Sequence, residues 1–267
     1  MFGLTFVSLE VGSNQPIGRR RVRPAGDPEY RDPVTSPPET PEFRYTDPRL
    51  TDFLLQYGVD LVLDVGANRG QFAIELRRGG YSGRIISFEP LVVAHAKLVV
   101  AAAGDEQWAV AERCALGDHE GTSVLNIAGN SESSSLLPML EAHSDAAPAS
   151  RYIDTGSVPL HRLDGLVLSD VAAAERPFLK LDVQGMEQSV LDGAPEILQR
   201  LIGAQVELDL IPLYEGAPLI EEVIASMRER GFSLVFLRPG FTDRRTGHVL
   251  QADGIFFRST FDGEHHG

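Results

Sequence analysis

The chain has 267 residues, enough for one large α/β domain with appendages. Its formal charge of -14, from 38 Asp and Glu against 24 Lys and Arg, repels polyphosphate backbones and argues against a nucleic-acid partner. A single cysteine, Cys114, forbids an intrachain disulfide and suits a reducing compartment, and no apolar run approaches the roughly 18 residues of a membrane span.

The opening MFGLTFVSLEVG carries no early positive charge and meets Glu10 too soon for a signal peptide, so a cytoplasmic protein is expected. Residues 1–50 form an arm whose proline- and arginine-rich core, RRRVRPAGDPEYRDPVTSPPETPEF, favours extended or polyproline conformations over helix. Two readings stand for it: a flexible tail, or an arm that packs across a second subunit, making a homodimer, or over the mouth of the active site.

From Thr51 onward apolar strands alternate with amphipathic helices. LVLDV reads as a strand that runs through a glycine turn into a helix over Gln71–Arg78. RIISFE, then a helix over Val92–Ala103, then WAVAERCAL continue the pattern. Residues 117–163 interrupt it with a turn, a strand and the polar loop SESSSLL, an insertion placed to shape a pocket or to decorate the surface. PFLKLDV, a helix over Glu187–Gly193, AQVELDL and a helix over Pro218–Arg230 restore the alternation. FSLVFLR and ADGIFFR, joined by a turn-rich stretch, close the chain as an antiparallel hairpin. The whole predicts an α/β, doubly wound, mostly parallel sheet, Rossmann-like, over residues 51–267.

In such sheets ligands bind beyond the carboxyl ends of the strands. The loop Gly66, Ala67, Asn68, Gly70 sits there, with Asn68 standing where glycine is usual; Asn tolerates left-handed backbone better than most residues. Glu89 ends the next strand, about 20 residues on, where an acidic side chain accepts hydrogen bonds from ribose hydroxyls. An adenosine ligand follows, either a nicotinamide dinucleotide or S-adenosylmethionine. Missing glycine and the adjacent carboxylate of Asp64 disfavour a diphosphate and favour a cationic sulfonium or ammonium. A dinucleotide-dependent oxidoreductase and a cofactor-binding partner without catalysis remain as alternatives.

Asp182 closes the fourth core strand, and Glu207 with Asp209 ends the next. Strand periodicity puts Glu207 and Asp209 on one face. Carboxylates from two adjacent strand ends suit a hydroxyl-positioning site or a hard divalent cation such as magnesium, held by Asp182 and Glu207. His143 and His161, in the insertion, are the other candidate bases for an alcohol proton.

Taken in order, DVGANRGQF, SFEP, CALGDHEG, SESSSLL, VPLHRLD, LKLDVQGMEQSVLDGA, QVELDLIPLYEG and LQADGIFF resemble the FkbM family of S-adenosylmethionine-dependent methyltransferases. The resemblance runs from about Val59 to Arg258 and leaves the arm outside it. It implies a class I methyltransferase fold with a seven-stranded sheet, and O-methylation of a hydroxyl on a sugar, glycoconjugate or natural product. It further implies that Asp64, Gly66, Asn68 and Gly70 surround the methionine part of the cofactor, and that Glu89 holds the ribose. Pro90 and Leu91 would border the adenine, Ala115, Leu116 and Asp118 would lie beside the base, and Asp182 would stand near the transferable methyl.

Overall fold

The computed structural model describes residues 50–258; the arm and its proposed dimer contact lie outside the described residues. In chain order the elements are α1 (Leu50–Gln56), β1 (Leu61–Val65), α2 (Gln71–Arg78), β2 (Arg84–Phe88), α3 (Val92–Ala102), β3 (Trp108–Val110), β4 (Ala115–Leu116) and β5 (Gly121–Ala128). They continue as α4 (Glu141–Ala146), a 3-10 turn (Pro148–Ser150), β6 (Tyr152–His161), α5 (Leu163–Ala173), β7 (Pro177–Leu181), α6 (Glu187–Asp192) and α7 (Pro195–Arg200). The last are β8 (Gly203–Asp209), α8 (Ile220–Glu229), β9 (Phe232–Pro239) and β10 (Gln251–Arg258).

Seven strands form one sheet in the order β3-β2-β1-β7-β8-β10-β9. Neighbours from β3 to β8 run parallel, and β10 pairs antiparallel with both β8 and β9. The doubly wound sheet with its terminal hairpin is therefore as the sequence predicts. The order of winding reverses between β1 and β7: the strands after β1 step outward through β2 and β3, and β7 returns to β1's other side. That is the switch point at which open α/β sheets leave a crevice.

The period of two in each strand sorts side chains between two layers. Leu61, Leu63 and Val65 of β1 join Leu179 and Leu181 of β7 under α5 to α8, which contribute Leu163, Leu191, Ile197 and Met227. Val62, Ile85 and Phe178 face the other way, onto Leu54, Leu76 and Leu98 of α1 to α3. Each fully buried leucine contributes on the order of 1.5–3 kcal/mol through removal from water. On this second face the strands end in a polar row. Asp64 lies opposite Ser87 of β2 and Lys180 of β7, and Lys180 lies opposite Gln205 of β8.

WAVAERCAL differs from its single-strand reading. Its first three residues pair with β2, whereas Ala115–Leu116 leaves for a second sheet of order β4-β6-β5. The break falls at the polar pair Glu112 and Arg113, where the Arg113 guanidinium donates to the Pro90 carbonyl at 2.9 Å. The small sheet packs on the start of α3 through Leu91, Ala94, Leu125, Val158 and Leu160. It carries the serine-rich loop to the mouth of the crevice.

Candidate functional site

Residues 66–70 turn from β1 into α2 with three left-handed residues, Gly66 (φ 78), Asn68 (φ 46) and Gly70 (φ 87). A Cβ on Gly66 would stand 1.8 Å from the Asp182 carbonyl oxygen, so the close approach of β7 requires glycine there. Asn68 adopts the backbone that its residue type tolerates. Its N–H donates to Glu89 Oε2 at 2.8 Å, its Nδ2 to Ser131 Oγ at 3.3 Å.

Glu89 is buried, and its second oxygen accepts the Leu91 N–H at 2.8 Å. Burial pushes its pKa up to about 7, against the two backbone donors that favour the carboxylate. Each carboxylate oxygen retains a second lone pair for a ligand hydroxyl. Pro90, Leu91, Ala115, Leu116, Leu125 and Leu136 form an apolar wall beside it. Together with the loop they line a cleft of about 360 Å³, within the usual size for a small-molecule site.

Asp64 does not face this cleft. Its carboxylate is fully buried beneath the loop, where it accepts Ser87 Oγ at 3.0 Å and stands 3.5 Å from Lys180 Nζ. Ser87 in turn accepts the indole N–H of Trp108 at 3.0 Å. Lys180 Nζ also reaches the Gly66 carbonyl at 3.1 Å and Asp182 Oδ2 at 3.4 Å. Burial pulls the Lys180 pKa down, but the carboxylates of Asp182 and Asp64 overcome it and hold the ammonium charged, above the ordinary lysine range. The expectation that Asp64 faces a ligand cation is corrected: its cationic partner is a lysine of the next strand. Gly70 likewise serves as the cap before α2, packed against Trp108, and does not line the cleft. Asp118 turns to solvent with His119, 2.6 Å away.

On the opposite side stand Asp182 and Glu207. Gln184, itself at φ 56, donates through one Nε2 to Asp182 Oδ1 at 2.9 Å and Glu207 Oε2 at 2.6 Å. Its Oε1 accepts the Tyr214 hydroxyl at 2.6 Å, and its carbonyl accepts Ser135 Oγ at 2.6 Å. Gln251 Nε2 likewise joins Glu207 Oε2 and Asp209 Oδ1, both at 2.9 Å, so Glu207 and Asp209 share a face as expected. Burial, then the carboxylates of Asp182, Glu187, Asp209 and Asp253, raise the Glu207 pKa well above the usual carboxylate range.

Magnesium between Asp182 and Glu207 does not fit this arrangement. An ammonium already holds Asp182 and a carboxamide N–H group occupies the space between the two carboxylates. Among the described residues no group of three or more His, Cys, Asp or Glu is arranged to hold a metal ion.

Neither histidine lines the cleft. His143 is buried behind Tyr214 and Phe241, bonded to Ser150 Oγ at 2.9 Å, and burial lowers its pKa to about 4. His161 pairs with Glu120 Oε2 at 2.6 Å on the small sheet. The fold thus keeps both candidate bases away from the cleft. Conversely, Lys180, Gln184, Gln205, Arg238 and Asp253 line the cleft, and the sequence alone does not single them out. Lys180 and Gln205 stand two positions before Asp182 and Glu207, so strand periodicity was the available signal.

A family model, the methyltransferase FkbM domain, matches residues 64–234. The chain belongs to the FkbM methyltransferase family. Its fold is that of the class I methyltransferases, and its cofactor is S-adenosylmethionine. The acidic lining of the cleft fits that cation, and Glu89 fits its ribose. Among solved structures, this FkbM methyltransferase is similar to magnesium protoporphyrin IX methyltransferase from Synechocystis PCC 6803 with bound S-adenosylmethionine. The identity is 11%, the TM-score 0.43, and the match covers 79% of this chain and 76% of that one. It is also similar to 1,6-didemethyltoxoflavin-N1-methyltransferase from Burkholderia thailandensis, at 10% identity, TM-score 0.41, and 77% and 74% coverage. A third, mitomycin 7-O-methyltransferase, gives 12% identity, TM-score 0.38, and 78% and 55% coverage. No curated protein matches the chain. No described helix is long and apolar enough to cross a membrane.

Proposed function

We propose that this FkbM methyltransferase transfers the methyl group to a hydroxyl oxygen of a sugar, glycoconjugate or natural product. Glu207 is the observation that carries the reading. It lines the cleft at the end of β8, Gln184 and Gln251 fix its Oε2, and no described donor reaches its Oε1. An ordinary carboxylate is a weak base for an alcohol; burial among like charges makes this one a better proton acceptor.

Bound S-adenosylmethionine supplies an electrophilic methyl on its sulfonium. Gly66, Ala67 and Asn68 would cradle its methionine part, and Glu89 would accept hydrogen bonds from the ribose. Pro90, Leu91, Ala115 and Leu116 exclude water from the adenine. Asp182, held in place by Lys180 and Gln184, would orient the acceptor hydroxyl. Glu207 Oε1 would take the proton of the acceptor hydroxyl as that oxygen gains the methyl group. Positioning and one proton transfer suffice.

The test is transfer of isotopically labelled methyl into a deproteinised extract of host cells, with the product's new bond assigned by NMR. An O-methyl product, formed equally after chelation and exhaustive dialysis, is expected. An N- or C-methyl product would overturn the hydroxyl reading, and loss of activity on chelation would overturn the metal-free base.

A further inference from the structure

We infer that the acceptor sits over the antiparallel end of the sheet, on Gln205, Glu207, Asp253 and Arg238, and that it is a donor-rich polyol or amino sugar without an anionic group. This rests on the hydroxyl-transfer reading and specifies its substrate class. Glu207, Asp253 and Arg238 lie directly opposite one another on β8, β10 and β9, one row across three strands. Directly opposed residues project from the same face, roughly 5 Å apart, so the row presents one surface to the cleft. All three line it, as does Gln205, two residues before Glu207 on the same face.

The free valences of the two carboxylates on this surface are acceptors. Hydrogen bonds reach only Oε2 of Glu207 and only Oδ2 of Asp253 among the described residues. Gln205 is 5% exposed, yet its Oε1 has no partner. That oxygen is closed off from the cleft, so what Gln205 offers a ligand is its amide N–H, which a hydroxyl oxygen accepts. Hydroxyls and ammonium groups are donors; ether oxygens, ketones and carboxylates are not.

Charge points the same way. Six carboxylates line the cleft, those of Glu75, Glu89, Glu132, Asp182, Glu207 and Asp253. Its two cations are both engaged, Lys180 by Asp64 and Asp182, and Arg238 by Asp253 at 2.7 Å. A phosphate or uronate acceptor would meet repulsion and find no unpaired cation.

The experiment adds one separation to the labelled-extract assay: the labelled products pass over an anion exchanger. Label in the neutral or cationic flow-through is expected. Label retained as acidic product would overturn this inference and leave the hydroxyl reading standing, whereas no transfer into any fraction would overturn both. Two variants sharpen it. Gln205→Leu should raise the acceptor KM about 10-fold in the purified flow-through fraction, with little change in kcat and in S-adenosylhomocysteine affinity. Asp253→Asn releases Arg238 and should raise the ratio of acidic to neutral labelled product several-fold. An unchanged KM in the first, or an unchanged ratio in the second, counts against the assignment.

Discussion

The two walls of the cleft are built in different ways. At the β1–β2 side, contacts are made largely by backbone: a glycine turn, the N–H of Asn68 and the N–H of Leu91, both directed at one carboxylate. At the β8–β10 side they are made by side chains, with Gln184 and Gln251 tying Asp182, Glu207 and Asp209 together. The first wall suits a cofactor that never changes, because backbone groups are set by the fold. The second can be rebuilt by single substitutions, which suits the part of a methyltransferase that meets its acceptor.

The largest effect is expected at the side-chain wall. Glu207→Gln keeps the shape and an acceptor for Gln184 but removes the proposed base. Methyl transfer should fall by about 10²–10⁴-fold, with S-adenosylhomocysteine affinity within twofold of the parent by calorimetry. In the parent, rate should rise with pH through the raised Glu207 pKa, because the base acts deprotonated, and that acid limb should vanish from the variant's residual activity. A variant that retains full activity would remove Glu207 from the chemistry.

The contrast also explains what the sequence reveals. Glu89 and the 66–70 loop are legible because their relation lies within one strand-helix-strand unit, and their burial follows from the apolar strands around them. Asp182 and Glu207 are legible as strand-end carboxylates. The direction of Asp64 is not: it depends on Lys180, 116 residues away and adjacent only once β1 and β7 pair. Asp253 and Arg238 stay hidden for the same reason, because antiparallel register decides which residue of β9 or β10 meets Glu207. The histidines fail on burial and position, which neither residue type nor local context encodes.

At the backbone wall, Gly66→Ala tests the rigid half. A methyl group there would fall 1.8 Å from the Asp182 carbonyl, at a φ of 78 that alanine adopts reluctantly. Strain and overpacking together should cost roughly 3 kcal/mol or more, seen as a lowered denaturation midpoint and lost cofactor binding. Unaltered stability and affinity would mean that the loop is soft, and would erase the distinction between the two walls.

Glu89→Gln should act more mildly. Asn68 and Leu91 donate to different oxygens of Glu89, so the amide oxygen accepts one N–H while its NH2 faces the other, and the variant should fold with lowered stability. S-adenosylhomocysteine affinity should fall about 10–100-fold, the worth of hydrogen bonds to a charged group. The pH dependence has a definite sign. With its pKa raised to about 7 by burial, Glu89 in the ligand-free protein binds a proton that the unfolded chain, near 4.5, does not. Its contribution to stability is therefore greatest below the unfolded value and declines as pH rises from about 4.5 to 7. Cofactor affinity should run the opposite way, strengthening over the same window as the carboxylate forms. Parent and variant melting curves at pH 5 and pH 8, with and without S-adenosylhomocysteine, separate the two trends.

The smallest effect is expected at His161, where the sequence offers a base and the structure does not. Its ring pairs with Glu120 at the surface of the small sheet, and neither residue lines the cleft. Exposed pairs of this kind contribute little, since solvent screens the charge and side-chain entropy opposes the contact. His161→Asn should leave methyl transfer and cofactor affinity within twofold and the pH–rate profile unmoved. A lost or shifted limb would place a proton-carrying path through β6 and the insertion, and acceptor chemistry would then no longer be confined to the β8–β10 wall.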